Sequence, residues 1–118
     1  MAKRFLIVDD SVSFRQIMCE LVLSMGHEVA GEAVDGVEAV EKHKELRPDV
    51  TLLDIRMPRM VGIDALKQII ANDPEAAVVM LTSVDDIGVV DDCIMAGARD
   101  YIRKDRIDEA ARRIADVL

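Results

Sequence analysis

The sequence predicts an α/β fold, with an open, doubly wound sheet of five parallel strands and helices on both faces. Strand-length apolar runs alternate five times with segments of helical periodicity, which favours parallel strands joined by right-handed crossovers. Residues 50–53 are almost continuously apolar up to Asp54, as in a strand covered on both faces. Five units within 118 residues are too few to close an eight-unit barrel.

The strands are taken from short runs rich in apolar and β-branched residues that end at a polar residue or a turn. They span residues 4–8, 28–33, 50–54, 76–81 and 100–103. The second run is the weakest of the five, which favours an edge position. Strand three must stop before Pro58, because proline cannot donate to a ladder.

The helices are taken from apolar residues that recur three and four apart after each strand. They span residues 12–25, 36–47, 63–72, 87–96 and 107–118. Ser11 is a good N-cap for the first helix. Gly26 and Gly97 end the first and fourth helices, and Pro48 lies beyond the end of the second.

Residues at the strand ends supply the candidate chemistry. Asp9 and Asp10 end strand one, Asp54 ends strand three, Thr82 follows strand four and Lys104 follows strand five. A charged residue within an apolar run is costly without a partner, so Asp54 belongs at the exit of its strand. Because open α/β sheets build their sites at the carboxyl ends of the strands, we expect these five side chains to converge.

Three carboxylates in one pocket repel each other, so the cluster favours a bound cation. Oxygen ligands in a partly open site suit Mg²⁺, which keeps several waters and needs only one or two protein carboxylates. A carboxylate beside Mg²⁺ can be a nucleophile toward phosphorus, while Lys104 and Thr82 supply a charge and a hydroxyl for phosphoryl oxygens. This chemistry needs no histidine, so His27 and His43 receive no catalytic role.

Composition excludes several classes of protein. A content of 51% hydrophobic and 32% charged residues excludes disorder, and the net charge of −8 argues against direct binding of nucleic acid or anionic membrane. The sequence has neither a membrane-spanning run nor a signal peptide, so a cytoplasmic location is expected. Cys19 and Cys93 are expected to be free core thiols in a reducing compartment.

The motifs together resemble the receiver domain of two-component response regulators, and most closely the stand-alone chemotaxis regulators of the CheY type. They are Asp9-Asp10, Asp54 with Met57-Pro58 and Gly62, Thr82-Ser83, Tyr101 and Lys104. The resemblance covers the whole chain, so residues 1–118 are expected to form one receiver domain. It implies a flavodoxin-like sheet with strand order 2-1-3-4-5, whose switch point lies between strands one and three.

The resemblance also implies a role for each matching residue in the acidic pocket. Asp54 would accept a phosphoryl group from a histidine kinase. Asp10 would bind Mg²⁺ directly, Asp9 would help through water, and the backbone carbonyl of Arg56 would be a further ligand.

A signalling switch is the function that this resemblance implies, with catalysis limited to taking up and hydrolysing its own phosphoryl group. Thr82 would move toward the phosphoryl group, and Tyr101 would turn inward into the space that Thr82 leaves. The face made by helix four, strand five and helix five would then change its affinity for a downstream protein, such as a flagellar motor or chemotaxis protein. No effector domain is expected beyond Leu118, so the output is expected to pass through such a partner.

The sequence departs from the family pattern at four positions. Asp105 stands where a proline usually follows the lysine in a cis peptide; a cis bond without proline costs about 2.5–4 kcal/mol, which leaves open a trans peptide and a differently aimed loop. Asp105 would also add a fourth acid near the pocket rim. Arg56 and Val84 are expected to tune the access of water to the acyl phosphate, and Val61 replaces a common acid or amide.

Three other functions compete with the switch. A phosphohydrolase of the haloacid dehalogenase type needs a second acid where Arg56 stands, together with a cap domain. A nucleotide-binding Rossmann domain needs a glycine-rich first turn, and the turn here is Asp-Asp-Ser. A phosphorylation-independent protein-binding module is suggested only by Asp105, and the intact acid triad argues against it.

Several further residues have plain structural interpretations. The acids near helix four are expected to be solvated, unless they contact a basic partner: Asp85-Asp86 and Asp91-Asp92. The pair Arg112-Arg113 is expected at the surface. Four methionines are expected to fill the core: Met18, Met25, Met80 and Met95.

Overall fold

The computed structural model describes residues 2–118, so Met1 of the predicted domain lies outside the described residues. The strands are β1 (Arg4–Val8), β2 (Glu28–Ala33), β3 (Val50–Asp54), β4 (Ala77–Thr82) and β5 (Asp100–Arg103). The α-helices are α1 (Val12–Ser24), α2 (Gly36–Leu46), α3 (Gly62–Asn72), α4 (Val90–Met95) and α5 (Ala110–Asp116). No helix within this range is long and apolar enough to cross a lipid bilayer.

The five strands form one parallel sheet in the order β2-β1-β3-β4-β5. The predicted fold class and strand order are therefore confirmed, and β2 lies at an edge as expected. The central strand β3 pairs with β1 on one side and β4 on the other, and all five of its residues are buried. Val8 is opposite Leu53, and Asp54 is opposite Leu81, so the ends of these three strands meet at one edge.

Alternate residues of each strand enter two separate cores, one on each face of the sheet. On one face, strand residues such as Leu6 and Leu53 pack against α2, α3 and α4. On the other face, Phe5 and Leu52 pack against α1 and α5. This period-two alternation is the packing of a doubly wound sheet, in which both faces are covered by helices.

Two predicted helices begin as 3-10 helices. The helix predicted over 87–96 is a 3-10 helix at Val84–Val89 followed by the six-residue α4, and a 3-10 helix at Ile107–Glu109 precedes α5. Two aspartates and Gly88 near the start of the fourth segment have low α-helical propensity, and short 3-10 turns are common at the start of α-helices. Helix four is therefore longer overall, but less regular, than its periodicity predicts.

One of the methionines predicted in the core lies outside it. Met18 and Met80 are fully buried, but Met95 is 88% exposed, so its assignment as a core residue is wrong. Val90 and Cys93 define the buried side of α4. Met95 is two residues beyond Cys93, and this spacing places it on the opposite side of the helix.

Candidate functional site

Three carboxylates meet where β1 and β3 end. Asp9 is fully buried, Asp54 is 4% exposed and Asp10 is exposed. Each offers one oxygen, and these oxygens all lie within 4.8 Å of one another. The parallel pairing of β1 with β3 causes this meeting, because Val8 and Leu53, the residues before two of the acids, are register partners.

Lys104 brings a cation to two of these acids. Its Nζ lies 2.6 Å from Oδ2 of Asp9 and 3.3 Å from Oδ1 of Asp54. The Lys104 amide donates to the carbonyl of Thr82 at 2.8 Å, and its ammonium lies 4.7 Å from the centre of the Phe14 ring. Burial alone would lower the pKa of Lys104, but its contacts with Asp9 and Asp54 outweigh burial and raise that pKa above its ordinary value.

The carboxyl group of Asp54 titrates near neutral pH in this environment. Burial and the neighbouring charge of Asp9 raise the pKa of Asp54 to about 7, although Lys104 and the amide of Arg56 act in the opposite direction. The cause is that one lysine does not offset the cost of holding two buried carboxylates side by side. A further cation at this point would stabilise the ionised form of Asp54.

The acids fit a hard divalent cation. Oδ1 of Asp9 accepts from the Ser11 amide at 2.9 Å, whereas Oδ2 is buried and, within residues 2–118, receives no well-aligned hydrogen bond. Lys104 approaches Oδ2 closely as an ion pair. The Arg56 amide lies 3.4 Å from Oδ1 of Asp54, so the Arg56 backbone is also at the site. Such an oxygen-only set of donors is the kind that Mg²⁺ prefers.

A cavity of about 750 Å³ opens over Asp54. It is lined by Asp10, Asp54, Arg56, Met57, Pro58, Ser83, Asp85, Asp86 and Lys104. Thr82 is fully buried and is not one of the lining residues, and its hydroxyl donates to the Ser83 carbonyl at 3.0 Å. The structure thus gathers Asp9, Asp10, Asp54 and Lys104 as predicted, and it places Thr82 at the adjacent strand end with its hydroxyl engaged elsewhere.

Tyr101 lies on β5, beside the strand that carries Thr82. Its register partner on β4 is Met80, two residues before Thr82, so Tyr101 and Thr82 occupy the same face of the sheet. The Tyr101 ring is half-buried, and the guanidinium carbon of Arg113 lies 4.7 Å from its centre. Arg113 also binds Asp100 at 2.9 Å and is half-buried, whereas Arg112 is exposed, so the first of these two arginines is solvated and the second is a partly exposed member of an ion pair.

Arg56 and Asp86 form an ion pair that the sequence did not predict. Nε of Arg56 lies 3.2 and 3.1 Å from the two carboxylate oxygens of Asp86, and Nη2 contacts the same carboxylate. Asp86 is 4% exposed and its pKa is held below the ordinary value, chiefly by the hydrogen bonds from Arg56. The prediction that Asp86 is solvated is wrong, because Arg56 and Ser83 supply its hydrogen bonds. The available signal in the sequence was Arg56 itself, a cation two residues after Asp54 that departs from the family pattern.

Asp105 does not act as a fourth acid of the pocket. Its carboxylate pairs with the Arg103 guanidinium at 3.0 and 2.7 Å, and it is exposed and outside the cavity lining. That prediction is therefore wrong, because a cation two residues away captures the side chain. Among residues 2–118 every peptide bond is trans, including the one between Lys104 and Asp105.

The loop after β3 is anchored on its far side by Arg59. Its guanidinium binds Asp35, the N-cap of α2, with contacts of 2.8 and 3.2 Å. Asp35 is buried, and these hydrogen bonds hold its pKa below the ordinary value. The loop that follows Asp54 is thus held at two points. Arg56 binds Asp86 after β4, and Arg59 binds Asp35 at the start of α2.

Comparison with known proteins gives consistent matches along the chain. Residues 5–115 match the response regulator receiver domain family. The chemotaxis protein CheY of Thermotoga maritima is 44% identical over 98% of this chain and 99% of its own length. The CheY of Bacillus subtilis is 43% identical over 96% of this chain and 98% of its own.

Two solved structures are similar over nearly the whole chain. The response regulator domain of Thermotoga maritima CheB has a TM-score of 0.89 at 35% identity, covering 99% of this chain and 94% of that one. CheY in the CheX-CheY-BeF3-Mg²⁺ complex of Borrelia burgdorferi also has a TM-score of 0.89 at 35% identity, covering 98% of this chain and 90% of that one.

These matches agree with the fold and with the position of the acids. They imply phosphorylation-dependent two-component signalling, in which a receiver domain is a switch and not a catalyst of an external substrate. Binding of Mg²⁺ at the acidic pocket is typical of the family, and Asp9, Asp10 and Asp54 form such a pocket here. The chain belongs to the response regulator receiver domain family and is similar throughout to chemotaxis regulators of the CheY type.

Proposed function

We propose that Asp54 accepts a phosphoryl group from the phosphohistidine of a histidine kinase. One observation carries this proposal. A buried carboxylate at a strand end lies with two further acids, whose oxygens are all within 4.8 Å of one another, and one lysine pairs with this carboxylate and with Asp9. Phosphoryl transfer depends mainly on positioning and on neutralising charge, and this arrangement supplies both.

The transfer itself requires one bond to form and one to break. A carboxylate oxygen of Asp54 attacks phosphorus, the phosphorus–nitrogen bond to the kinase imidazole breaks, and the leaving imidazole keeps the electron pair. In the hydrolysis that resets the switch, water attacks phosphorus and the phosphorus–oxygen bond to Asp54 breaks. Asp54 leaves as a carboxylate, and the attacking water becomes a hydroxyl of orthophosphate while its second proton passes to another phosphate oxygen.

Mg²⁺ is the cofactor that the donor set favours. Asp10 would bind it directly, Asp9 through water, and Asp54 and the backbone carbonyl of Arg56 would complete the protein ligands. When bound, Mg²⁺ neutralises the charge on the oxygens around the reacting phosphorus. The close approach of one oxygen from each of Asp9, Asp10 and Asp54 supports this assignment.

Lys104 and Thr82 are the residues that would sense the phosphoryl group. Lys104 already lies against the acceptor at 3.3 Å. The Thr82 hydroxyl, now bound to a carbonyl, would turn to a phosphoryl oxygen, and Tyr101 on the same face would turn inward. These movements would connect Asp54 to the surface formed by α4, β5 and α5.

A downstream protein is the expected reader of that surface. The Borrelia burgdorferi CheY forms a complex with CheX when beryllofluoride and Mg²⁺ are bound. We infer a comparable phosphorylation-dependent partner for this chain, docked at the surface formed by α4, β5 and α5. A chemotaxis or flagellar motor protein fits the similarity to CheY.

Intact-protein mass spectrometry tests the acceptor. With Mg²⁺ and acetyl phosphate, the protein should gain one phosphoryl group, and Asp54→Asn should gain none. Asp64→Asn is the matched control, because Asp64 is an exposed carboxylate on α3 outside the acidic pocket; it should label like the wild type. Equal labelling of Asp54→Asn would remove Asp54 as acceptor, and an unlabelled wild type would favour a phosphorylation-independent binding module.

A further inference from the structure

The ion pair between Arg56 and Asp86 spans the cavity over Asp54, and the proposed reaction does not use it. Arg56 lies on the loop after β3, and Asp86 lies in the 3-10 helix that follows β4. The Arg56 side chain is 77% exposed, whereas that of Asp86 is almost wholly buried. An exposed cation is therefore paired, at the cavity lining, with a buried carboxylate.

Phosphorylation changes the charge at this site. Three carboxylates and one ammonium, those of Asp9, Asp10, Asp54 and Lys104, leave a formal charge of −2. A bound Mg²⁺ would balance it, but a phosphoryl group replaces one carboxylate charge with about two negative charges. The phosphorylated site thus lacks one positive charge, and among residues 2–118 Arg56 is the one cavity-lining residue besides Lys104 that carries a positive charge.

We propose that Arg56 is a further phosphoryl-binding residue, which Asp86 holds away from Asp54 until a phosphoryl group competes for the guanidinium. The inference rests on the proposed function, because it assumes a phosphoryl group on Asp54. The Arg56 amide already lies 3.4 Å from Oδ1 of Asp54, so the residue is next to the acceptor. A guanidinium fork binds phosphate oxygens as readily as carboxylate oxygens.

Transfer of Arg56 from Asp86 to a phosphoryl group would leave the buried Asp86 carboxylate without its cation. Once Arg56 leaves, the Ser83 hydroxyl at 3.3 Å is the side-chain donor that remains to Asp86. A buried carboxylate without its cation is destabilising. Asp86 therefore weakens phosphoryl binding by retaining Arg56, and a neutral side chain at position 86 should release the arginine at little cost.

Binding of beryllofluoride with Mg²⁺ to the full chain tests this competition. Asp86→Asn should bind about tenfold more tightly than Asp85→Asn, which is the size expected for one charge-assisted hydrogen bond. Asp85 is a matched control because it lines the same cavity and has the same charge, but it forms no ion pair within residues 2–118. Adding Arg56→Gln to Asp86→Asn should abolish the gain.

A side-chain NMR signal of Arg56 reports on its hydrogen-bond partner in the wild type, without a substitution of Asp86. The Arg56 Nε–H resonance, assigned by its loss in Arg56→Gln, should shift when beryllofluoride is added to the Mg²⁺-bound wild type. The Arg59 Nε–H resonance is the internal control, because that guanidinium is bound to Asp35 outside the cavity; it should stay in place.

The outcomes separate this inference from the proposed function. Failure of the wild type to bind beryllofluoride would contradict the proposed function and the inference together. Normal binding, with equal affinities of Asp86→Asn and Asp85→Asn or with an unmoved Arg56 resonance, would overturn the inference alone. If Asp86→Asn does not fold, the NMR signal of the wild type still decides.

Discussion

Nζ of Lys104 lies 2.6 Å from Oδ2 of Asp9, an oxygen that is buried at the end of β1. The same ammonium reaches Asp54 at 3.3 Å, so one lysine serves two buried acids. Its position depends on the ladder between β4 and β5, which continues into the bond from the Lys104 amide to Thr82. In the metal-free protein this lysine is the main counter-charge to Asp9 and Asp54.

Replacing Lys104 with methionine should therefore destabilise the metal-free protein and increase its response to Mg²⁺. Loss of a cation that contacts two carboxylates should lower the free energy of unfolding by about 2 kcal/mol. Mg²⁺ would relieve the added repulsion, so its shift of the melting temperature should exceed that of the wild type. Differential scanning fluorimetry with and without Mg²⁺ measures both effects.

Lys67→Met is the matched control for that experiment. Lys67 is exposed on α3 and forms no ion pair within the described residues 2–118. It should change neither the metal-free stability nor the Mg²⁺ shift beyond a few tenths of a kcal/mol. A smaller Mg²⁺ shift in Lys104→Met than in the wild type would show that the lysine assists metal binding.

Asp10→Ala should remove the stabilisation by Mg²⁺. Asp10 is the exposed member of the three acids, so its loss should leave the metal-free fold nearly unchanged. Ligand binding stabilises the folded state by mass action, so loss of the direct ligand should reduce the Mg²⁺ shift to near zero. An undiminished shift would place the metal elsewhere.

The pKa of Asp54 predicts how the stability of the metal-free protein depends on pH. Folding raises this pKa from 3.8 to about 7, so between these values the folded state holds a proton that the unfolded state has released. The contribution of this proton to the unfolding free energy is fully present below about pH 4 and is lost as pH rises toward 7. The unfolding free energy should fall by at most about 1.4 kcal/mol per pH unit in that range.

Urea unfolding of the wild type and of Asp54→Asn, from pH 5 to 7.5, isolates that contribution. The difference in unfolding free energy, wild type minus variant, should fall as pH rises without metal. With saturating Mg²⁺ the difference should become nearly independent of pH, because the cation holds the carboxylate ionised in the folded state as it is in the unfolded state. A difference independent of pH in the metal-free series would contradict the raised pKa.

Thr51→Val should stabilise the protein. Thr51 is fully buried in β3 between Leu6 and Val78, and its hydroxyl has no hydrogen-bond partner within residues 2–118. Removing an unsatisfied buried hydroxyl while keeping the side-chain shape should add about 1 kcal/mol to the unfolding free energy. The melting temperature measured by circular dichroism should rise by about 4 °C.

Thr82→Val provides the control for that substitution. Thr82 is equally buried at the end of the neighbouring strand, but its hydroxyl donates to Ser83. The same change there should give no stabilisation, because a hydrogen bond is lost along with the hydroxyl. If both variants were stabilised equally, the benefit would come from valine in a strand and not from the unsatisfied group.

The main residues of the site were predictable because strand periodicity and parallel topology determine where strand ends meet. Asp9 and Lys104 each follow a strand and Asp54 ends one, so their convergence could be inferred once the five strands were assigned. The ion pair of Arg56 with Asp86 was not predictable in this way. It depends on the spacing between two irregular loops and on side-chain rotamers, and neither leaves a periodic pattern in the sequence.

Local ion pairs and helix irregularity account for the remaining errors. Asp105 was placed near the pocket by its position after Lys104, but Arg103 turns its side chain away. Met95 belongs to an apolar pattern that assumes a regular helix, whereas the first part of that segment is a 3-10 helix. Both cases show that spacing along the chain fixes an element more firmly than it fixes the direction of an exposed side chain.

Gly62→Ala should destabilise the protein and impair the acidic pocket, because α3 begins against the backbone of the acceptor residue. A Cβ at position 62 would lie 2.2 Å from the carbonyl oxygen of Asp54 and 2.7 Å from Cα of Ile55. Both neighbours are backbone atoms, so the loop after β3 must move, and the cost should be about 2–3 kcal/mol. Labelling by acetyl phosphate should slow in parallel. Gly88→Ala is the control, because within residues 2–118 its added Cβ meets no heavy atom within 4 Å outside its chain neighbours and its own helix; it should label like the wild type and melt no lower, since alanine favours a helix over glycine. If Gly62→Ala matched that control in both measurements, close packing of α3 on Asp54 would not be needed for the site.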